Sequence, residues 1–168
     1  MADWRERSAA TSDPDAEPAE LPRELLLEVF QHARECYPEE CCGLLTGTDA
    51  QGPLHVVRCT NVQSQRVARG ESNLDASRAF WIDEQELLNA LRAAEASGEK
   101  LLVIYHSHVD TAAYLSHTDV TGALGPDGEP LYPGSAQLVV SVRDSGVGEA
   151  ALFTWDPAQR AFHGRPAR

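Results

Sequence analysis

Long hydrophobic runs are missing from this 168-residue chain: nothing in it approaches the roughly 20 apolar residues that a membrane helix needs. The opening stretch, Met1-Ala2-Asp3-Trp4-Arg5-Glu6, has neither the basic nor the apolar region of a secretory leader, so the expected compartment is the cytoplasm. Basic residues are scarce, 14 against 26 acidic ones, which gives a net charge of −12. Binding to nucleic acid needs a basic face, and this balance argues against it. The acidic surplus fits plain solubility, or a partner that presents basic residues. Cysteine is sparse too. Cys36, Cys41, Cys42 and Cys59 contain no Cys-x2-Cys pair, which speaks against a structural zinc knuckle. All four are expected to stay reduced in the cytoplasm. Cys41 and Cys42 should point to opposite sides of a strand, with one packed in the core as a small hydrophobe. No internal repeat is visible.

What remains is a chain of one-domain size, 42% hydrophobic and able to bury a core. Residues 1–20 are polar and acidic and are expected to be disordered. Pro22 sits at a helix start, and Leu26, Val29, Phe30 and Ala33 follow helical spacing up to Tyr37-Pro38. Residues 41–46 and 54–59 read as two strands joined by a hairpin loop with Gly47, Asp49 and Gly52. Residues 61–79 should be irregular, either a surface loop or the lining of a groove. Asp83-x-x-Glu86 opens a second helix that Gly98 ends. Residues 137–142 and 151–155 read as further strands, and residues 158–168 as a tail.

The chemistry is concentrated in one stretch. Leu101-Leu102-Val103-Ile104-Tyr105 reads as a buried strand and runs into His106-Ser107-His108. Residues two apart on a strand share a face, so both imidazoles can grip one ion. Seven residues later comes Ser116-x-x-Asp119, which fits a helix start with Ser116 as its cap and Asp119 in the first turn. Alone, the first motif could be two polar residues at a strand end and the second an ordinary capping box. Together they are the parts of a mononuclear zinc site: two imidazoles, a carboxylate and an open position for water. A base is also needed. Glu40, entering the apolar run Cys41-Cys42-Gly43-Leu44-Leu45, is the candidate, since burial raises a carboxyl pKa toward neutrality. Glu39 reads as its solvated neighbour; the alternative is that both are surface charges at a helix end.

Pro38-x-Glu40-x-Cys42-Gly43-Leu44-Leu45, His106-Ser107-His108 and Ser116-x-x-Asp119 together resemble the JAMM, or MPN-plus, metalloprotease family, and above all its small bacterial members. The resemblance runs from about Leu21 to about Trp155. It implies an α/β fold of the cytidine-deaminase-like type, with a mainly antiparallel mixed sheet flanked by helices, over residues 21–157. It implies one zinc per chain on His106, His108 and Asp119, Glu40 as general base and proton shuttle, and Ser116 as hydrogen-bond donor to the oxyanion. Ser107 should point away from the metal. It implies hydrolysis after the C-terminal Gly-Gly of a ubiquitin-like or sulfur-carrier protein. Two positions depart from the pattern of the small bacterial members, which often have proline where this chain has Val109 and Leu115; the loop between them is where the shape of the substrate channel is in question. The alternatives are a catalytically inactive scaffold of the same fold and, more remotely, a zinc hydrolase of small amides or nucleotides.

The motif is complete without His117, which reads as a solvated helix residue. His32, His55 and His163 read as structural or surface groups. Trp81 and Trp155 are expected as core or half-buried anchors. Tyr114, in the channel loop, is a candidate contact for a Gly-Gly tail.

Overall fold

The structure, a computed structural model, describes residues 9–168. Its first helix, α1 (Arg23–Cys36), begins after Pro22, whose fixed φ suits a helix start. It buries Leu26, Val29 and Ala33, the stripe that the spacing predicts. Strands β1 (Cys42–Thr48) and β2 (Gly52–Cys59) form the expected hairpin. Helix α2 (Gln63–Ala68) is a short turn of helix inside the segment expected to be irregular. Helix α3 (Glu84–Ala96) follows Asp83, whose side chain accepts from the Glu86 N–H. The Glu86 carboxylate does not close the reciprocal bond of a capping box; it accepts instead from the N–H and hydroxyl of Thr60. Strand β3 (Lys100–Val109), helix α4 (His117–Ala123), and strands β4 (Ala136–Arg143), β5 (Gly146–Asp156) and β6 (Ala161–Pro166) complete the chain.

The six strands form one sheet in the order β2-β1-β3-β4-β5-β6. The pair β3–β4 is parallel and all others are antiparallel. This is the mixed, mostly antiparallel α/β architecture expected. Both faces of the sheet are covered. On one, α1 packs over Cys41, Leu45, Val103, Tyr105, Leu138 and Val140. On the other, Cys42, Leu44 and Ile104 pack with Ala90 of α3, while Val139, Ala151 and Phe153 pack with Val120 of α4. Cys41 and Cys42 thus point to opposite sides, as expected, but both are buried, because neither face of β1 meets solvent.

Strand alternation fixes where the functional groups point. Tyr105 lies on the α1 face and Ile104 on the opposite one, so Ser107 follows Tyr105 and the two histidines follow Ile104. Tyr105 donates to or accepts from His32 Nδ1 at 2.8 Å, and its ring lies directly over Gly43. A Cβ at Gly43 would collide with the Tyr105 hydroxyl and the Val57 carbonyl, so only glycine fits there. Parallel neighbours need a crossover. The chain leaves the end of β3, passes through α4 and returns to β4, which brings Ser116 and Asp119 back to the strand end that carries the histidines.

Three expectations are corrected. Residues 9–20 are not disordered: a bridge Ala10–Leu115 ties them to the loop before α4, bridges Ser12–Gly164 and Ala19–Ala167 tie them to β6 and the residue after it, and Ala19 is buried. Their composition carries no core, but backbone pairing with a distant edge supplies what composition cannot. Residues 1–8, also part of the expected disordered segment, lie outside the described residues. The stretch 158–168 is not a tail but contains β6, fully paired with β5. Trp81 is 40% exposed and lies under the Arg66 guanidinium, 3.8 Å from ring centre, rather than in the core; Trp155 is half-buried against Phe162.

Candidate metal centre

His106, His108 and Asp119 converge. Each offers one ligand atom, and the three atoms lie within 4.8 Å of one another. Asp119 Oδ2 sits 3.3 Å from His106 Nε2 and 3.1 Å from His108 Nε2. The side chains are closed off from solvent, at 0%, 5% and 6% exposure for His106, His108 and Asp119. The His106 ring is stacked on Phe80, with centroids 4.4 Å apart, and neither of its nitrogens has a hydrogen-bond partner. His108 Nδ1 lies 3.0 Å from the Ala112 carbonyl. A carbonyl only accepts, so Nδ1 carries the proton, and in the neutral ring Nε2 presents a lone pair. That lone pair faces a carboxylate oxygen, an arrangement that calls for a proton or a cation between them.

The electrostatics agree with a cation site. Burial pulls the His106 imidazole below its ordinary pKa, against the pull of the Asp119 carboxylate, and so favours the neutral ring that a metal ligand needs. Burial alone would raise the Asp119 carboxyl. The neighbouring imidazoles, His106 first, overcome this and hold it well below the ordinary range. The Ser116 N–H also donates to Asp119 Oδ2 at 2.8 Å. In return the Asp119 N–H donates to Ser116 Oγ at 3.1 Å, which closes the capping box that the spacing predicts. A hydroxyl that accepts there still has its own proton to donate.

Glu40 enters from the other side. Cys42 pairs with His106 across β1 and β3, and Glu40, two residues earlier, falls on the same face. It is 4% exposed, and its Oε2 has no partner. Burial, reinforced by the Asp119 charge, pushes its carboxyl up to about 9. Glu39 is exposed. Ser107 does point away from the triad, and it does more than fill space. Its Oγ accepts from the Cys41 N–H at 2.7 Å and its N–H donates to the Cys41 carbonyl at 3.1 Å, locking the strand that carries Glu40 to the strand that carries the ligands.

Two supporting residues escaped the sequence reading. Asn61 donates to the Glu40 carbonyl at 3.0 Å and accepts from the Trp81 and Gln63 N–H groups, also at 3.0 Å. It therefore ties Glu40 to the segment that carries Phe80. Phe80 itself floors His106. No local motif marks either residue; the one available signal is that Asn61 opens the polar stretch after β2. Beside the triad, a cavity of about 440 Å³ runs between α3 and α4, lined largely by Phe80, Leu87, Leu91, Ile104 and Tyr132, with Asp119 at its wall. Tyr114 packs edge-on against the His108 ring at 4.9 Å. His117 is exposed on α4 and His32 is buried against Tyr105. His55 and His163 lie on the surface beside Glu99 and Asp156.

Fold and site define a class: a mixed α/β domain with a buried group of two imidazoles and one carboxylate that can hold a metal ion. The chain belongs to the family described as prokaryotic homologs of the JAB domain, which it matches over residues 22–151. Over 123 residues, 72% of this chain and 71% of the relative, it is 34% identical to the CysO-cysteine peptidases of Mycobacterium tuberculosis (strain ATCC 25618 / H37Rv) and Mycobacterium bovis (strain ATCC BAA-935 / AF2122/97). Its fold is similar to the solution structure of protein DSY2949 from Desulfitobacterium hafniense, with a TM-score of 0.62 at 21% identity over 89% of this chain and 90% of that one. It is also similar to a protein from Salinibacter ruber (strain DSM 13855), with a TM-score of 0.55 at 29% identity over 86% of each. No helix among the described residues is long and apolar enough to cross a membrane.

Proposed function

We propose that this chain is a zinc-dependent peptidase or isopeptidase that hydrolyses the bond after the C-terminal Gly-Gly of a ubiquitin-like or sulfur-carrier protein. The observation that carries the reading is the juxtaposition of a closed His106–His108–Asp119 triad with an unpartnered, buried Glu40 carboxyl. The residues fit a zinc ion: the donors are two imidazoles and a carboxylate, the His108 tautomer leaves Nε2 free, and His106 has no other use for its nitrogens. Zinc bound there would polarise the scissile carbonyl and lower the pKa of a water molecule.

The chain's own residues do the rest. The raised pKa of Glu40 belongs to the metal-free site; the charge of a bound cation would draw it down, and the ionised carboxylate then takes a proton from the attacking water and passes it to the leaving amine. Ser116 donates its hydroxyl proton to the carbonyl oxygen as negative charge develops. No covalent intermediate with the protein is required. The similarity to the CysO-cysteine peptidases supports one kind of substrate, a sulfur-carrier protein joined to cysteine, and a conjugated ubiquitin-like modifier is the other. An inactive scaffold would have no need of a complete triad with a buried carboxyl facing it, and nothing in the site favours that alternative.

The test pairs metal with turnover. Purified without added metal, the wild type should hold close to one zinc per chain and His108→Ala little. The wild type should release cysteine from a Gly-Gly-cysteine adduct of a sulfur-carrier protein. A wild type that takes up no zinc even when it is supplied would remove the metallopeptidase reading and leave the scaffold.

A further inference from the structure

The loop that joins the two halves of the metal site, residues 110–115, is tied down almost residue by residue. The Tyr37 hydroxyl donates to the Asp110 carboxylate at 3.2 Å. The Thr111 carbonyl accepts from Ser141 Oγ at 2.6 Å, and the Ala112 carbonyl from His108 Nδ1 at 3.0 Å. The Ala113 N–H donates to Glu149 Oε1 at 3.1 Å. All of these partners lie inside the region that matches the family, 22–151. The last tie does not. Ala10 donates its N–H to the Leu115 carbonyl at 2.8 Å and accepts the Leu115 N–H on its own carbonyl at 2.9 Å. This reciprocal pair sits on the residue next to Ser116.

We propose that the segment around Ala10 is a positioning strap of the active site: by pairing with Leu115 it sets where the Ser116 hydroxyl and the cap of α4 stand. The inference rests on the role given to Ser116 above. Its footing is geometric. The strap is anchored on its far side, where Asp13 N–H donates to the Gly164 carbonyl at 2.9 Å and Thr11 passes so close to Gly164 that a Cβ there would meet the Thr11 carbonyl. Ala10 packs against the cluster that contains Leu115, Phe153 and Phe162, with Leu115 fully buried. Ser116 follows one bond after this clamp. Its N–H and Oγ are both engaged with Asp119, so any drift of Leu115 carries the donor and the carboxylate cap with it. The tie also depends on the residue at 115 having an N–H. A proline there could accept from Ala10 but not donate to it. Leucine makes the two-way bond available, and the strap supplies from outside the loop the rigidity that a proline would supply from within.

The experiment uses the full-length, zinc-loaded chain with Ala10→Pro, which deletes the Ala10 N–H; Ala10→Gly, which keeps it; Ser116→Ala; and the double variant Ala10→Pro/Ser116→Ala. Turnover of the Gly-Gly-cysteine adduct and backbone hydrogen exchange are measured well below the unfolding temperature. Ala10→Pro is expected to keep its zinc and KM, to lose about tenfold in kcat, the scale of a small misplacement of a catalytic group, and to exchange the Leu115, Ser116 and Asp119 amides faster. Ala10→Gly should behave as wild type. In the Ser116→Ala background the proline should cost kcat almost nothing further, because the strap acts through Ser116. An Ala10→Pro chain with faster Leu115 exchange and undiminished kcat overturns the proposal, as does an equal kcat loss with Ser116 already removed. A Leu115 amide that exchanges at the rate of an open loop in the wild type overturns it with no variant at all. Failure of the functional reading looks different: the wild type, or Ser116→Ala against it, would show no turnover to lose. Hydrogen exchange at Ser116 and Asp119 in Ala10→Pro then still decides whether the strap orders them, raised exchange supporting it and unchanged exchange overturning it.

Discussion

Glu40 is the residue whose burial has the largest consequence for the proposed chemistry. It is buried without a partner for Oε2, and its carboxyl titrates at about 9 rather than its ordinary 4.5. In the metal-free protein the folded state therefore keeps a proton that the unfolded chain has already released. The stability associated with that proton is complete below about pH 4.5 and is lost as pH rises through about 9. Glu40→Gln cannot ionise and escapes this loss. Unfolding of metal-free protein by denaturant across that range should show the variant gaining on wild type as pH rises, then levelling off; a constant difference would mean that Glu40 is solvated. The same variant should bind zinc normally and lose turnover by about a hundredfold or more, the usual worth of a positioned base. Normal turnover would remove Glu40 from the mechanism. At this scale the spacing marked His106, His108 and Asp119, which the fold brings together, the Ser116 cap, which forms, and the burial of Glu40, because ligand chemistry and capping demand particular residue types at particular spacings. It was silent on Phe80 and Asn61, whose parts are defined only by what folding brings against them.

The elements were legible where the local pattern decides them. Helix α1, the β1–β2 hairpin, α3, the buried β3 and the capped α4 all follow from periodicity and end signals. Helix α2 was not, since six polar-rich residues give no readable period. The pairing of β1 with β3 is the element-level feature on which the site depends most, because it sets Cys42 opposite His106 and Cys41 opposite Ser107, which fixes the entry of Glu40 beside the strand end that carries the histidines. Gly43 is its tightest point. Gly43→Ala would push a methyl group into the Tyr105 ring and the Val57 carbonyl. The expected cost is about 2 kcal/mol, in the range of core overpacking, read as a lower denaturation midpoint. Because Tyr105 immediately precedes His106, zinc affinity should fall with it. A variant as stable as wild type would show that the two strands can separate slightly without penalty, contrary to the close contact seen.

The order of the whole sheet was not in the sequence. Periodicity marks strands but cannot say that β3 and β4 run parallel, nor that residues 9–20 bridge to Leu115 and to the β6 end of the sheet. These are long-range backbone pairings with no side-chain signature. The consequence is that a metal bound by His106, His108 and Asp119 would be held by parts far apart in the chain, β3 and the start of α4, with the proposed base at the entry to β1. Unfolding must scatter them, so a metal that binds only the folded state adds its binding free energy to the stability of the entire domain. At free zinc a thousandfold above Kd the gain is about 4 kcal/mol. Thermal unfolding of the chain with zinc and with a chelator should therefore give a clearly higher midpoint with zinc for wild type and for Glu40→Gln, which keeps all three ligands. His108→Ala and Asp119→Asn should show a much smaller rise. Equal midpoints with and without zinc in the wild type would mean that the convergence of His106, His108 and Asp119 is only a polar contact within the core. A rise in wild type that persists in His108→Ala would place the metal elsewhere in the molecule.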